Sequence, residues 1–203
     1  MRDVLLLDLD GVLRRWPTVD AAAEDAAGLP RGCLHAAAFD AAVLVPAITG
    51  RITDDEWRRS VAEVLAGEYG DAAAARAIEV WSATPGEVDA DVLAVLDDLR
   101  SDVRVVLATN ATTRLSDDLA RLGLADRFAA IASSAEIGSA KPARAFFDAA
   151  LALVGAEPHE ALYVDDTAAN VEAAAALCVE AVLFTDAAAM HDWLRRHGVL
   201  VGP

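Results

Sequence analysis

The stretch Val4-Leu5-Leu6-Leu7-Asp8-Leu9-Asp10-Gly11-Val12-Leu13 constrains the fold more than any other part of the chain. A short, continuous apolar run reads as a buried strand, and open α/β sheets place their chemistry just beyond the carboxyl ends of such strands. Here that position holds two carboxylates and a glycine. Glycine permits the turn that would bring both acids onto one ligand. The same residues also fit a strand that runs into an ordinary Asp-Gly turn, so other parts of the chain must decide between the two readings.

Composition narrows the field. The 203 residues are 55% hydrophobic with a mean hydropathy of +0.32, enough to bury a full core, and the length suits one domain or one domain with a modest insertion. A net charge of -16 and a pI near 4.4 oppose a phosphodiester backbone, and no basic cluster with interleaved aromatics occurs, so nucleic acid is not an expected partner. An anionic substrate would have to be met by a local cation, a metal or oriented backbone amides. Cys33 and Cys178 form no paired motif, which suggests neither a zinc site nor a disulfide framework and fits a reducing compartment. The first apolar run ends at Asp8, too soon for a secretory signal, and nothing approaches a membrane span. The expectation is a soluble cytoplasmic protein, monomer or homodimer, without a membrane partner. His35, His159, His191 and His197 lack ligand spacing and read as solvated surface residues.

After Leu13 the apolar spacing becomes helical for about seventy residues. Thr53-Asp54-Asp55-Glu56 is a capping box opening a helix with Trp57, Val61, Val64 and Leu65 on one face. A second helix covers 71–82, and Thr84-Pro85-Gly86 breaks it. Beyond that, helix and strand alternate: helices near 88–100, 112–122, 143–154, 168–177 and 187–197, strands at 103–108, 128–132, 161–164 and 181–184. Such alternation predicts an α/β fold, a three-layer Rossmann-like parallel sheet with helices on both faces. The helical block then reads as an insertion. The expected division is a core of 1–15 and 86–203 and an all-helical cap of 16–85.

Three further segments carry polar residues suited to a single task. Thr109-Asn110 ends a buried strand just before a helix, a place suited to an anion, although helix capping explains it as well. Lys141 is the sole lysine among 17 basic residues, which suggests that this position needs a compact ammonium, and Pro142 fixes the chain entering the next helix. Asp165-Asp166 closes a third apolar run, with Asn170 four residues on. Three or four carboxylates at neighbouring strand ends repel one another by several kcal/mol unless a cation intervenes, and Mg²⁺ suits hard oxygen ligands that share it with phosphate.

Taken in order, Asp8-Leu9-Asp10-Gly11-Val12, Thr109-Asn110, Lys141-Pro142 and Asp165-Asp166 with Asn170 resemble the four motifs of the haloacid dehalogenase-like (HAD) hydrolase superfamily, in the form with a small helical cap after the first strand. Gly50-Arg51-Ile52-Thr53, the Trp57 helix and the Asp165-Asp166 pair resemble the branch of sugar-phosphate phosphatases and the phosphatase lobe of epoxide hydrolases. The resemblance implies hydrolysis of a small soluble phosphate monoester through an aspartyl-phosphate. Asp8 would be the nucleophile and Asp10 the general acid and base. Mg²⁺ would be held by Asp8, the Asp10 carbonyl and Asp166, with Asp165 binding it or orienting a water. Thr109, Asn110 and Lys141 would hold the phosphoryl group, and Asn170 would steady the metal loop from behind. A phosphomutase, or a catalytically idle relative that binds a metabolite or a regulatory partner, stays open as an alternative.

An acid two residues after the nucleophile argues against dehalogenation, and a cap without lysine argues against phosphonate cleavage. Two departures from the pattern stand out: Cys178 replaces a usual glycine, and Ala143 a common acid after Lys-Pro. Arg14, Arg15 and Trp16, where the chain leaves the core, are candidates for contacting the leaving group, with Phe39 and Trp57 deeper in the cap.

Overall fold

The computed structural model describes residues 2–202, so Met1 and Pro203 at the ends of the expected core lie outside the described residues. Five parallel strands, β1 (Val4–Leu7), β4 (Arg104–Thr109), β5 (Ala130–Ser133), β6 (Ala161–Asp165) and β7 (Glu180–Leu183), form a sheet in the order β5-β4-β1-β6-β7. β1 is central, with Leu5 beside Val105 on one side and Leu162 on the other. Alternation along the strands feeds two apolar layers. Leu5, Leu7, Leu107 and Val164 pack with residues of α6 (Ala90–Asp97), α7 (Leu115–Arg121) and α11 (Ala187–Arg196). Val4, Leu6, Val106 and Tyr163 pack with α9 (Arg144–Ala152) and α10 (Ala168–Ala176). All four β1 residues are buried, and each such leucine contributes roughly 1.5–3 kcal/mol.

Between β1 and α6 lie α1 (Val19–Ala27), α2 (Cys33–Ala38), α3 (Ala41–Ile48), α4 (Asp54–Tyr69) and α5 (Asp71–Ser82). They bury an apolar cluster of their own that includes Leu34, Trp57, Val61, Leu65 and Trp81. The capping box opens α4: Thr53 Oγ1 accepts from the Glu56 N–H at 3.2 Å, and the Glu56 carboxylate accepts from the Thr53 N–H at 2.7 Å. Val64, expected on the buried face, is half exposed because the buried line follows Trp57, Val61 and Leu65 and leaves Val64 at its margin.

Several features differ from the sequence reading. The chain enters and leaves the helical block through a two-residue antiparallel pair, β2 (Arg14–Arg15) with β3 (Glu87–Val88), which is too short to register as a period. α6 therefore begins after Asp89, whose side chain caps it, and not at Val88. Pro142 precedes α9 by two residues, while a short helix, α8 (Ser134–Ile137), and a 3-10 turn at Pro158–Glu160 were not anticipated. Of the histidines, His35 and His159 are exposed, whereas His197 is half-buried against Trp193.

Cys178 has φ 68°, the left-handed region that favours glycine. It follows α10 in a Schellman arrangement, the Cys178 N–H donating to Ala175 and the Val179 N–H to Ala174. Cys178→Gly should raise stability by about 0.5 kcal/mol, because relief of the left-handed strain outweighs the added freedom of the unfolded chain. Urea unfolding checks this, and an equal or lower midpoint contradicts it.

Candidate active site

The strand ends do converge. Asp8, Asp165 and Asp166 bring carboxylate oxygens within 4.8 Å of one another. Asp8 directly continues β1, its N–H donating to Val164 of β6 at 3.0 Å, and Asp165 ends β6 with Asp166 just beyond it. Between two of these acids stands Lys141, its side chain 1% exposed and its Nζ 2.7 Å from both Asp8 Oδ1 and Asp165 Oδ2.

Asp165 is saturated. Besides Lys141 it accepts from the Thr167 N–H at 2.7 Å, from Asn170 Nδ2 at 3.1 Å and from the Tyr163 hydroxyl. Its part here is to hold Lys141 and Asn170 in place. Tyr163 was not singled out from the sequence, although its position two residues before Asp165 puts both side chains on one face of β6. Asn110 likewise acts on Lys141: its carbonyl accepts the Lys141 N–H at 2.8 Å and its amide donates to the Lys141 carbonyl at 3.0 Å. This clasp occupies both ends of the Asn110 amide.

Charge in this pocket is unevenly supported. Burial pushes the Asp8 carboxyl up to about 7, with Lys141 pulling it down and Asp165 adding to the rise. Burial opposes ionisation of Asp165 too, but the Lys141 ammonium and the hydrogen bonds from Lys141, Tyr163 and Thr167 outweigh it and hold that carboxyl below the ordinary range. Asp166 is raised, chiefly by burial. Burial and the neighbouring Asp165 carboxylate keep the Tyr163 phenol protonated, as its donor role requires. Three carboxylates against one ammonium leave the cluster short of positive charge, the condition a divalent oxygen-liganded cation relieves.

Thr109 Oγ1 is buried at the end of β4 without a hydrogen-bond partner. An unpaired hydroxyl of this kind is costly, and an incoming oxygen ligand would satisfy it. Gly11 has φ 88°, and a Cβ there would overlap the Asp166 carboxylate, so the loop after β1 can lie against Asp166 only as glycine.

Asp10 stands apart from the trio. Arg14 donates to both its oxygens, Nε at 2.7 Å and Nη2 at 2.8 Å, and the Trp16 indole N–H donates at 2.6 Å. The Arg14 guanidinium is buried, lies 4.5 Å over the Trp16 ring and also reaches Asp118 at 3.2 Å. Arg14 is thus committed to positioning Asp10, and Arg15 pairs with Asp89 on the far side. Asp118, one helical turn into α7 and also bound by its helical neighbour Arg114 at 2.9 Å, gave no signal in the sequence because Arg14, the partner that links it to Asp10, is remote along the chain.

Helix α4 is tied to the core beside this site. The Asp54 N–H donates to Thr113 Oγ1 at 2.9 Å and Asp54 Oδ1 accepts from Thr112 at 2.7 Å, while Gly50 lies against the Ala135 carbonyl so closely that a Cβ would collide with it. No helix among the described residues is long and apolar enough to cross a membrane.

A curated ribulose-1,5-bisphosphate 5-phosphatase of Halopiger xanaduensis is 36% identical over 109 residues, which cover 51% of this chain and 46% of that protein. The match thus spans about half the length of that relative. A HAD family enzyme of Bacteroides thetaiotaomicron, solved with magnesium and inorganic phosphate, superposes with a TM-score of 0.70 at 21% identity over 90% of this chain and 94% of its own. L-2-haloacid dehalogenase of Xanthobacter autotrophicus superposes with a TM-score of 0.68 at 18% identity, covering 96% and 83%. At such identities these two show the shared fold. The family model described as haloacid dehalogenase-like hydrolase matches residues 3–177, so the chain belongs to the haloacid dehalogenase-like hydrolases.

Proposed function

We propose that the protein is a Mg²⁺-dependent phosphatase of small phosphate monoesters that works through an aspartyl-phosphate on Asp8. The observation that carries this reading is the trio of the buried Asp8 and Asp165 with the exposed Asp166, Lys141 at 2.7 Å from the first two, and the unpartnered Thr109 hydroxyl beside the same strand ends. The residues fit a hard divalent cation: Asp8 and Asp166, with the Asp10 carbonyl, would hold it. When bound it would neutralise phosphate charge and the acids that surround it.

Asp8 attacks phosphorus while Lys141 keeps its carboxylate ionised and binds a phosphoryl oxygen. Thr109 donates its free hydroxyl to another. Asp10, aimed by Arg14 and Trp16, gives a proton to the leaving alkoxide and then removes one from the water that opens the acyl phosphate. Asn110 and Asp165 position Lys141, and Asn170 braces Asp165. The helical block of 16–85 serves as the cap and roofs the site. Both the phosphatase name of the curated relative and the phosphate-bound neighbour support the reading, and Asp10 with its acidic neighbours speaks against dehalogenation. Release of inorganic phosphate from a panel of monoesters, present with Mg²⁺ and abolished by excess chelator, is the direct test; full activity in chelator would refute the metal role.

A second consequence concerns pH. The folded pKa of Asp8, about 7, lies above its unfolded value of 3.8, so ionised Asp8 weakens the metal-free fold as pH rises through that window. A cation bound to the carboxylate relieves this, and below about pH 7 it must displace a proton. The rise in Tm on adding Mg²⁺ to chelator-treated protein should therefore be larger at pH 8 than at pH 6. Equal rises at the two values would separate Asp8 from metal binding.

A further inference from the structure

A cavity of about 480 Å³ opens beside Asp10 and runs between the core loops and the helical block. Its volume suits a ligand of one or two rings. Trp16, Phe39, Leu44, Ile48, Trp57 and Trp81 make most of its wall. Trp16 and Phe39 are 40% and 50% exposed, large apolar surfaces left uncovered at the same opening.

Both guanidiniums in this wall are already paired. Asp10, Asp20, Asp54 and Asp118 supply four carboxylates, against the guanidiniums of Arg14 and Arg58. Arg14 is bound by Asp10 and Asp118, and Arg58 by Asp54 at 2.6 Å, with its guanidinium 4.5 Å over the Trp81 ring. His35 is stacked on Phe39 at 4.4 Å and faces Asp20 at 3.3 Å. A second phosphate or carboxylate on the substrate would meet excess negative charge and would have to break an existing ion pair to find a cation. A polyol would strand hydroxyls against aromatic walls.

We infer that this cavity receives the leaving group, and that the preferred substrates are phosphate monoesters of uncharged, ring-bearing apolar alcohols, with sugar bisphosphates and other doubly anionic esters rejected. The inference rests on the phosphatase reading, because it places the ester oxygen at Asp10 and the alcohol beyond it. It goes further by naming the chemistry of the alcohol.

The test compares kcat/KM for 2-phenylethyl phosphate, glycerol 3-phosphate and fructose 1,6-bisphosphate with Mg²⁺ present. The phenylethyl ester should exceed both others by at least about tenfold, the scale on which apolar pockets discriminate. Phe39→Ser, at a half-exposed position that tolerates change, should narrow that ratio several-fold, mainly through KM. Three of the four tryptophans line the cavity, so 2-phenylethanol should alter tryptophan fluorescence where glycerol does not. Exchange of oxygen between water and ¹⁸O-labelled inorganic phosphate needs no leaving group and reports the aspartyl-phosphate alone. Exchange together with equal or better turnover of the bisphosphate, or with a ratio untouched by Phe39→Ser, would overturn the inference and leave the phosphatase reading standing. Neither exchange nor phosphate release from any ester would overturn both.

Discussion

Asp8→Asn should lower phosphate release by at least about 10³-fold, as loss of a nucleophile does in other covalent catalysts, while the metal-free protein becomes no less stable. The two halves of this expectation have different causes. An amide has almost the shape of a carboxylate but does not attack phosphorus. Stability is spared because ionised Asp8 is held in a buried site beside Asp165, where its charge is disfavoured, as its rise to about 7 records. Lys141 keeps Asp165 as partner at 2.7 Å when Asp8 loses its charge. Initial rates and thermal unfolding in chelator at pH 8 check both halves. Retained turnover would remove Asp8 from the chemistry, and a large drop in Tm would mean that the Lys141–Asp8 pair holds the fold.

The sheet was legible because its central strands β1, β4 and β6 carry apolar runs that end at Asp8, Thr109 and Asp165, and its helices because 3.6-residue spacing persists between them. Strand ends are positions the backbone sets, so the sequence alone places Asp8, Thr109 and Asp165 at one edge of the sheet. What the sequence did not carry was direction and partnership. The clasp of Asn110, a candidate phosphate ligand, on the Lys141 backbone and the hold of Asp10 and Asp118 on Arg14, a candidate substrate contact, could not be read from the sequence. Lys141 lies 31 positions from Asn110 and Asp118 lies 104 from Arg14, and the nearby Arg14–Asp10 pair forms only once the turn at Gly11 is made. Gly11 was legible as a turn, but its closeness to Asp166 was not, since that joins β1 to β6 across the sheet. The two-residue β2–β3 pair left no pattern to read.

Lys141 should be irreplaceable even by arginine. Its Nζ is a single point that meets two carboxylate oxygens at 2.7 Å inside a wall that leaves the side chain 1% exposed. A guanidinium is wider, planar and carried on a longer stem, and it needs its donors spread along a fork. The backbone has no freedom to retreat and make room, because Asn110 holds the Lys141 N–H and carbonyl at 2.8 and 3.0 Å. Lys141→Arg should therefore lose at least about tenfold in kcat/KM and some stability as well. Lys141→Ala separates the two roles of the ammonium. In chelator it leaves Asp8 and Asp165 buried without their cation and should cost about 3–5 kcal/mol in urea unfolding. Added Mg²⁺ should restore part of that stability by neutralising the same acids, yet it should not restore turnover, because the phosphoryl contact that Lys141 makes would still be missing. An arginine variant as active as the wild type would show that charge alone suffices at this position. An alanine variant rescued in activity by Mg²⁺ would assign the whole duty of Lys141 to charge balance.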